Sequence, residues 1–244
     1  VSVVGSAVSL RDANTLQVDV GASAASSVGA GGALQVSAIV TGTGSGLSLT
    51  AGGATTIGSI SVSGNLSLTS GGTVTQTDSA LSVGGSTTVL ASGRAVTLGH
   101  VDNDFAGAVA VTGSTVTLVD RNALQVTLTA TDDVVLTAGS LQVGGALSGP
   151  ASDLSINSAG ATTFGALAVG GLLGVKSAGA VSQTAAIRAG GALTIDAAGQ
   201  AVTLSQTANQ IDGNVKISGG AVAMRDSSAM KIELAASGIS TVSS

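Results

Sequence analysis

Apolar and polar residues alternate along almost the whole chain, and Gly or polar corners interrupt the alternation at short, regular intervals. Residues 116–128, VTLVDRNALQVTL, show the unit. Val116 and Leu118 alternate with Thr117, Asp120-Arg121-Asn122 reads as a corner, and Leu124, Val126 and Leu128 resume against Gln125 and Thr127. The pattern returns at 8–20 (VSLRDANTLQVDV) and at 222–234 (VAMRDSSAMKIEL), so its three copies begin at Val8, Val116 and Val222. A period of two is the signature of half-buried strands. The chain is therefore expected to be folded and all-β.

The long period, about 107 residues, is a repeat of the kind that marks stacked architectures, and it covers nearly everything. Leu34-Gln35-Val36 returns as Leu141-Gln142-Val143, Val74-Thr75-Gln76-Thr77 as Val181-Ser182-Gln183-Thr184, and Ala95-Val96-Thr97-Leu98 as Ala201-Val202-Thr203-Leu204. Between 93–118 and 199–224, 10 of 26 positions are identical, and most others exchange like for like, such as Phe105 with Ile211. The long repeats run 8–115 and 116–221, with a partial copy over 222–244. The spacing slips by one residue between Val20 and Leu34 and again between Thr77 and Ala80, both at corners. A slip inside a strand would turn its apolar face outward.

The short period is roughly 20 residues, as in GNLSLTSGGTVTQTDSALSV at 64–83, which holds three short strands. One such unit cannot enclose a core, but a stack can, each unit burying its inward Val, Leu or Ile on the next. This predicts a single parallel β-helix over 1–244, a segment of a longer protein, in which each strand pairs with its copy one coil away. At ~4.8 Å per coil, about 11 or 12 coils would make a rod on the order of 55 Å long. Gly pairs (Gly52-Gly53, Gly71-Gly72, Gly84-Gly85, Gly190-Gly191) mark corners that need positive φ or close backbone approach. Pro150, opposite Thr43 in the other copy, belongs in a corner because it lacks an N–H for the ladder. An antiparallel sandwich would show Asn-Gly or Asp-Gly hairpin signals. Asp212-Gly213 stands alone in that respect.

Composition narrows the function. The 44% hydrophobic content, placed at alternate positions, separates the chain from low-complexity disorder despite 9% charge and two aromatics. A net charge of −5 with eight scattered basic residues argues against nucleic acid. With no Cys, a disulfide framework and a thiolate metal site are excluded. No apolar run is long enough to suggest a membrane helix, and no signal-peptide pattern opens the chain.

The candidate chemistry is thin. His100, Asp102 and Asp104 in GHVDND have the residue types for a metal or acid–base site. The second copy replaces them with Gln206, Ala208 and Gln210 and keeps only Asn103, as Asn209, so the stretch reads as a solvated loop. The pairs Arg11-Asp12, Asp120-Arg121 and Arg225-Asp226 read as exposed turns with weak local pairing, because the order reverses in the middle copy. The Thr flanks of Thr115-Val116-Thr117 and Thr127-Leu128-Thr129 raise ice binding, but the outward rows alternate irregularly with Ser, Ala, Asp and Gln, and strand propensity accounts for them. A glycan-cleaving β-helix enzyme would need clustered carboxylates and aromatic platforms, and Trp and Tyr are absent. No catalytic, cofactor-binding or metal-ligating residue is assigned, and no enzyme activity is expected.

The run from 64 to 126, in particular GRAVTLGHVDNDFAGAVAVTGSTVTLVDRNALQV, resembles the repeat region of filamentous haemagglutinin-like exoproteins. The cues are the order Thr-Gln, Ala-Leu, Val-Thr-Leu, Asn-Asp-Phe-x-Gly and Asp-x-Asn-Ala-Leu, kept in weaker form in the second copy. The resemblance implies a right-handed parallel β-helix shaft, export from a Gram-negative bacterium by two-partner secretion through an outer-membrane transporter, and a secreted or cell-surface location. It implies a role in adhesion to other cells, surface glycans or proteins, or in presenting a binding region. A self-assembling filament subunit, associating end to end, is the alternative.

Overall fold

In the computed structural model, which describes every residue except Ala198, Met230 and Ser244, the chain is all-β. No helix occurs among the described residues, so none is long and apolar enough to cross a membrane. Strands stack in parallel on their counterparts one coil away, forming a β-solenoid with three sheets in each of two units, Val1–Leu124 and Gln125–Ser244.

In the first unit, sheet A places Leu16, Leu34, Thr55, Val74, Val96 and Val116 in register, so coil length changes slightly from each coil to the next. Sheet B stacks Ser9–Asp12, Ser26–Ala30, Leu47–Ala51, Leu66–Ser70, Thr87–Leu90 and Val109–Gly113. Sheet C takes the second halves of Leu16–Ala22, Leu34–Val40 and Thr55–Val62, then Leu81–Val83 and Asp104–Phe105. The second unit repeats this plan. Leu141, Thr162, Val181, Val202 and Val222 stand in register on sheet A, again one coil apart and again at unequal intervals along the chain. Its sheet B runs from Val134 through Leu154, Leu173, Leu193 and Val215 to Ile232.

At one coil of each unit the passage from sheet A to sheet C is a bulge. Gly58 and Ser59 together oppose Ser37 between the register pairs Val36–Ile57 and Ala38–Ile60. In the second unit Gly165 and Ala166 oppose Gly144 at the same place. An extra residue in one strand bends it, and here the bend carries the chain around the core.

Alternation decides what is buried. Leu47, Leu49, Ala51, Leu66 and Leu68 point inward, while Ser48, Thr50, Ser67 and Thr69 between them are exposed. Phe105 and Phe164 are fully buried in the two units. Each fully buried Leu, Ile or Val contributes roughly 1.5–3 kcal/mol against exposure, whereas a corner glycine costs ~0.5–1 kcal/mol. Several inward side chains per coil therefore outweigh the glycines that the corners demand. Thr87 departs from the pattern. It stands where the second copy has Leu193, and its buried hydroxyl lacks a hydrogen-bond partner.

The strand Val116–Ala130 corrects one expectation. The polar corner inside it does not interrupt the strand, and only Arg121, Asn122 and Ala123 face solvent in succession. Asp120, expected in an exposed turn, is 2% exposed. The two length slips of the long repeat do fall at corners. Gly31-Gly32-Ala33 separates two strands in the first unit, where the shorter counterpart lets Val134–Leu147 run through. The second slip lies in 77–80, between Val74–Gln76 and Leu81–Val83. Thr43 and Pro150 both occupy exposed turns.

Close approach, not positive φ, explains the Gly pairs. Among the described glycines, positive φ occurs at Gly44 and Gly93 in the first unit and at Gly145 and Gly199 in the second. A Cβ on Gly52 would meet the Gly31 carbonyl oxygen at 2.1 Å, and one on Gly71 would meet that of Gly52 at 2.3 Å. The corner backbones stack directly on one another and carry the ladder round the bend, as in Gly53 N–H to Gly32 O and Gly72 N–H to Gly53 O, both 2.9 Å. We expect Gly52→Ala to cost about 2 kcal/mol or more, because two backbones must separate. Gly44 has φ +68° and open space around it. Gly44→Asn, a residue that tolerates this conformation, is expected to cost less than about 1 kcal/mol. Urea unfolding of the two variants measures the contrast.

Candidate functional site

The most polar stretch of the sequence, GHVDND, lies on a corner between sheets A and C of the first unit, and its residues go separate ways. Asp102 is exposed, and its backbone N–H donates to Nδ1 of the half-buried His100 at 3.2 Å. Asp104 turns to Arg121 on the next coil, with Arg121 Nη2 2.5 Å from Asp104 Oδ2. Arg121 is more than half exposed, so the pair contributes ~0–1 kcal/mol. Among the described residues no three His, Cys, Asp or Glu side chains converge as a metal-binding group.

Asn103, the residue shared by both copies, is fully buried. The expectation of a solvated loop is corrected at this position. Its Oδ1 accepts Gln76 Nε2–H at 2.6 Å and the Leu81 backbone N–H at 2.8 Å. Its Nδ2 donates to Gln76 Oε1 at 3.0 Å and to the Leu98 carbonyl at 3.2 Å. Every donor and acceptor of the amide is used, which is what makes a buried Asn tolerable. Gln76 belongs to the coil below, so the two amides clasp one coil to the next.

The second unit reproduces the clasp. Asn209 is 2% exposed. Its Oδ1 accepts from Gln183 Nε2 at 2.8 Å and from the Ile187 N–H at 2.9 Å. Its Nδ2 donates to Gln183 Oε1 at 2.9 Å, to the Leu204 carbonyl at 3.1 Å and to the Arg225 carbonyl at 3.0 Å. Thr55 and Ser70 form a smaller buried pair, 2.9 Å apart, and Thr162 and Ser177 repeat it at 3.2 Å.

The Arg-Asp corners also change meaning. The acid holds its place in all three copies. Asp12, Asp120 and Asp226 each accept, through Oδ1, the backbone N–H two residues on, from Asn14 at 2.7 Å, Asn122 at 3.2 Å and Ser228 at 2.9 Å. This is an Asx turn. The reversal seen in the sequence is a change in where Arg stands around a fixed Asp. Asp226 is 3% exposed, and its Oδ2 accepts the Ile211 N–H of the coil below at 3.1 Å. At Asp120 the equivalent Oδ2 is buried without a hydrogen-bond partner. Burial pushes the Asp120 carboxyl above its ordinary value, and the neighbouring Asp104 adds to this. The Asn122 and Phe105 backbones and Arg121 oppose the shift without cancelling it.

On the outer surface the structure reveals an alignment that the sequence hides. Thr56, Thr75, Thr97 and Thr117 are in register on successive coils, although they look irregularly placed along the chain. The counterpart column in the second unit reads Thr163, Ser182, Thr203 and Ala223. Thr115 and Thr117 are half-buried, while Thr127 and Thr129 are exposed.

The buried clasps recur once per long repeat, and comparison with known families finds the same unit. The model of the family described as repeats of unknown function (DUF5649) matches residues 44–112 and 151–218, together more than half of the chain. The chain belongs to this family. Each DUF5649 match contains one Thr–Ser pair and one Gln–Asn clasp. No curated protein and no solved structure matches the chain.

Two outcomes test this site. Asn103→Asp places carboxylate oxygens against Gln76 Oε1 and the Leu98 carbonyl, and a loss of about 3–5 kcal/mol is expected in urea unfolding at neutral pH, with the same for Asn209→Asp. Asp120 has a folded-state pKa raised above the unfolded value, so its favourable contribution is complete below the unfolded pKa and is lost as pH rises through the folded one. The stability of Asp120→Asn minus that of the natural chain should therefore increase from pH 3 to pH 7. A difference that is flat or falling would refute the assignment.

Proposed function

We propose that this chain is a structural shaft segment of a filamentous haemagglutinin-like exoprotein, exported from a Gram-negative bacterium by two-partner secretion and held outside the cell. One observation carries the reading: on sheet B the two copies keep nearly all the inward residues apolar while several outward positions drift. Leu47, Leu49, Leu66 and Leu68 correspond to Leu154, Ile156, Leu173 and Val175, all buried. The outward Thr50, Thr69 and Leu90 correspond to Asn157, Lys176 and Asp196. A reaction centre or ligand site would constrain outward chemistry, whereas a scaffold constrains only the core and the corners.

In this reading the segment catalyses nothing and binds no nucleic acid. It stiffens the exoprotein and presents a binding region to other cells, surface glycans or proteins. The outer-membrane transporter is its partner during export, and a chain without Cys can pass such a pore without disulfides to undo.

The test is made on producing cells. An antibody raised against the segment should label intact cells or the culture medium. Deletion of the transporter gene should abolish that labelling. Signal that appears only after lysis, in cells with the transporter present, would remove the proposal.

A further inference from the structure

The two Gln–Asn clasps differ in one informative way. The corner that each encloses has four residues in the first copy, Thr77-Asp78-Ser79-Ala80, and three in the second, Thr184-Ala185-Ala186. In both, Gln Nε2 donates to the backbone carbonyl two residues before the next strand, that of Ser79 at 2.8 Å and of Ala185 at 2.7 Å. In both, the Asn Oδ1 accepts the N–H of the first residue of that strand, Leu81 or Ile187. In both, the N–H of the first corner residue stays on the ladder, Thr77 N–H to Ile57 O and Thr184 N–H to Phe164 O. The strands that follow keep their register, Ser82 opposite Ser61 and Arg188 opposite Ala168. The length difference is thus confined to the residues between two fixed points.

We propose that the Gln–Asn clasp is a register-resetting device. It catches the end of a variable corner by its backbone and returns the next strand to the same phase, whatever the corner length. The apolar columns cannot do this alone. Val, Leu and Ile recur in every coil, so a shift of two residues keeps apolar groups inward and is weakly opposed. A buried amide that needs four particular partners accepts one phase. This also accounts for the retention of Asn103 as Asn209 while every charge around it is lost, and for a long period superimposed on the short one.

Disulfide trapping tests it, since the chain has no Cys of its own. Ser61 and Ser82 are exposed and in register on adjacent coils. The Ser61→Cys/Ser82→Cys pair lies within disulfide reach, because adjacent coils are ~4.8 Å apart. Two Ser residues are inserted between Asp78 and Ser79, a change in length that the apolar columns oppose only weakly, with the clasp intact or replaced by Gln76→Leu/Asn103→Leu. With the clasp intact, the insertion should leave the disulfide yield within twofold of that of the natural corner. With the clasp replaced, the same insertion should lower the yield at least tenfold, while circular dichroism still reports β structure. Loss of the disulfide on insertion with the clasp intact overturns the proposal, and so does an undiminished yield without the clasp. If the replaced protein does not fold, the first comparison still decides. Insertion of one Ala between Ala185 and Ala186, read with Ala168→Cys/Arg188→Cys, repeats the test in the second unit, where loss of that disulfide counts against the proposal in the same way.

Discussion

Everything in each unit depends on one constraint, the in-register parallel ladder between a coil and the next. Strand N–H and C=O groups pair with the neighbouring coil about 4.8 Å away, so along the strands, bulges apart, a residue faces its counterpart one coil away. That repetition makes alternation sufficient to build a core. It also makes the corners severe, because stacked backbones there leave no room for a side chain. Gly31, Gly52 and Gly71 lie one above another for that reason. The ladder, not the apolar core, dictates where glycine is obligatory.

The same constraint explains the few polar groups inside. A buried donor or acceptor has to find its partner in its own coil or an adjacent one. Asn103 does so with Gln76, Leu81 and Leu98, and Asp226 does so with Ile211 and Ser228. Such groups are expensive when incompletely met, by ~1–3 kcal/mol each, and the position of Asp120 shows the consequence. Burial makes its carboxyl harder to ionise, and its backbone hydrogen bonds do not fully offset that cost. The interior polar residues are therefore positional instruments of the fold. The exterior is released from that duty. The exposed face of sheet B carries mostly Ser and Thr, with Arg11, in the first unit and adds Lys, Asp and Glu in the second, including Lys216 2.8 Å from Glu233.

Much of this is legible without coordinates. The alternation at 16–22 or 47–51 identifies inward residues correctly, and the one-residue slips point to corners. Legibility fails where the partner lies about one coil away in sequence. Asn103 in a run of charges looks solvated, and only the recurrence of both Gln76 and Asn103, as Gln183 and Asn209, hints at a pair. Asp120 looks paired with its neighbour Arg121, although Arg121 reaches Asp104 instead. A comparison of Asp12, Asp120 and Asp226 alone, at the same place in each copy, shows the acid to be the fixed element. The Thr column on sheet A stays hidden because unequal coil lengths scatter its members along the chain.

The sequence by itself determined the class of fold, the inward set and the places where the chain turns, because these follow from a period of two and from Gly and polar corners, which are local properties. The tertiary structure decided the rest. It settled that the Gly pairs answer to crowding rather than to backbone sign, that Asn103, Asn209, Asp120 and Asp226 are interior, and that Gln and Asn from neighbouring coils close on each other. Those outcomes depend on which residue sits above which. Coil length varies from one coil to the next, so no fixed spacing in the sequence identifies that vertical neighbour.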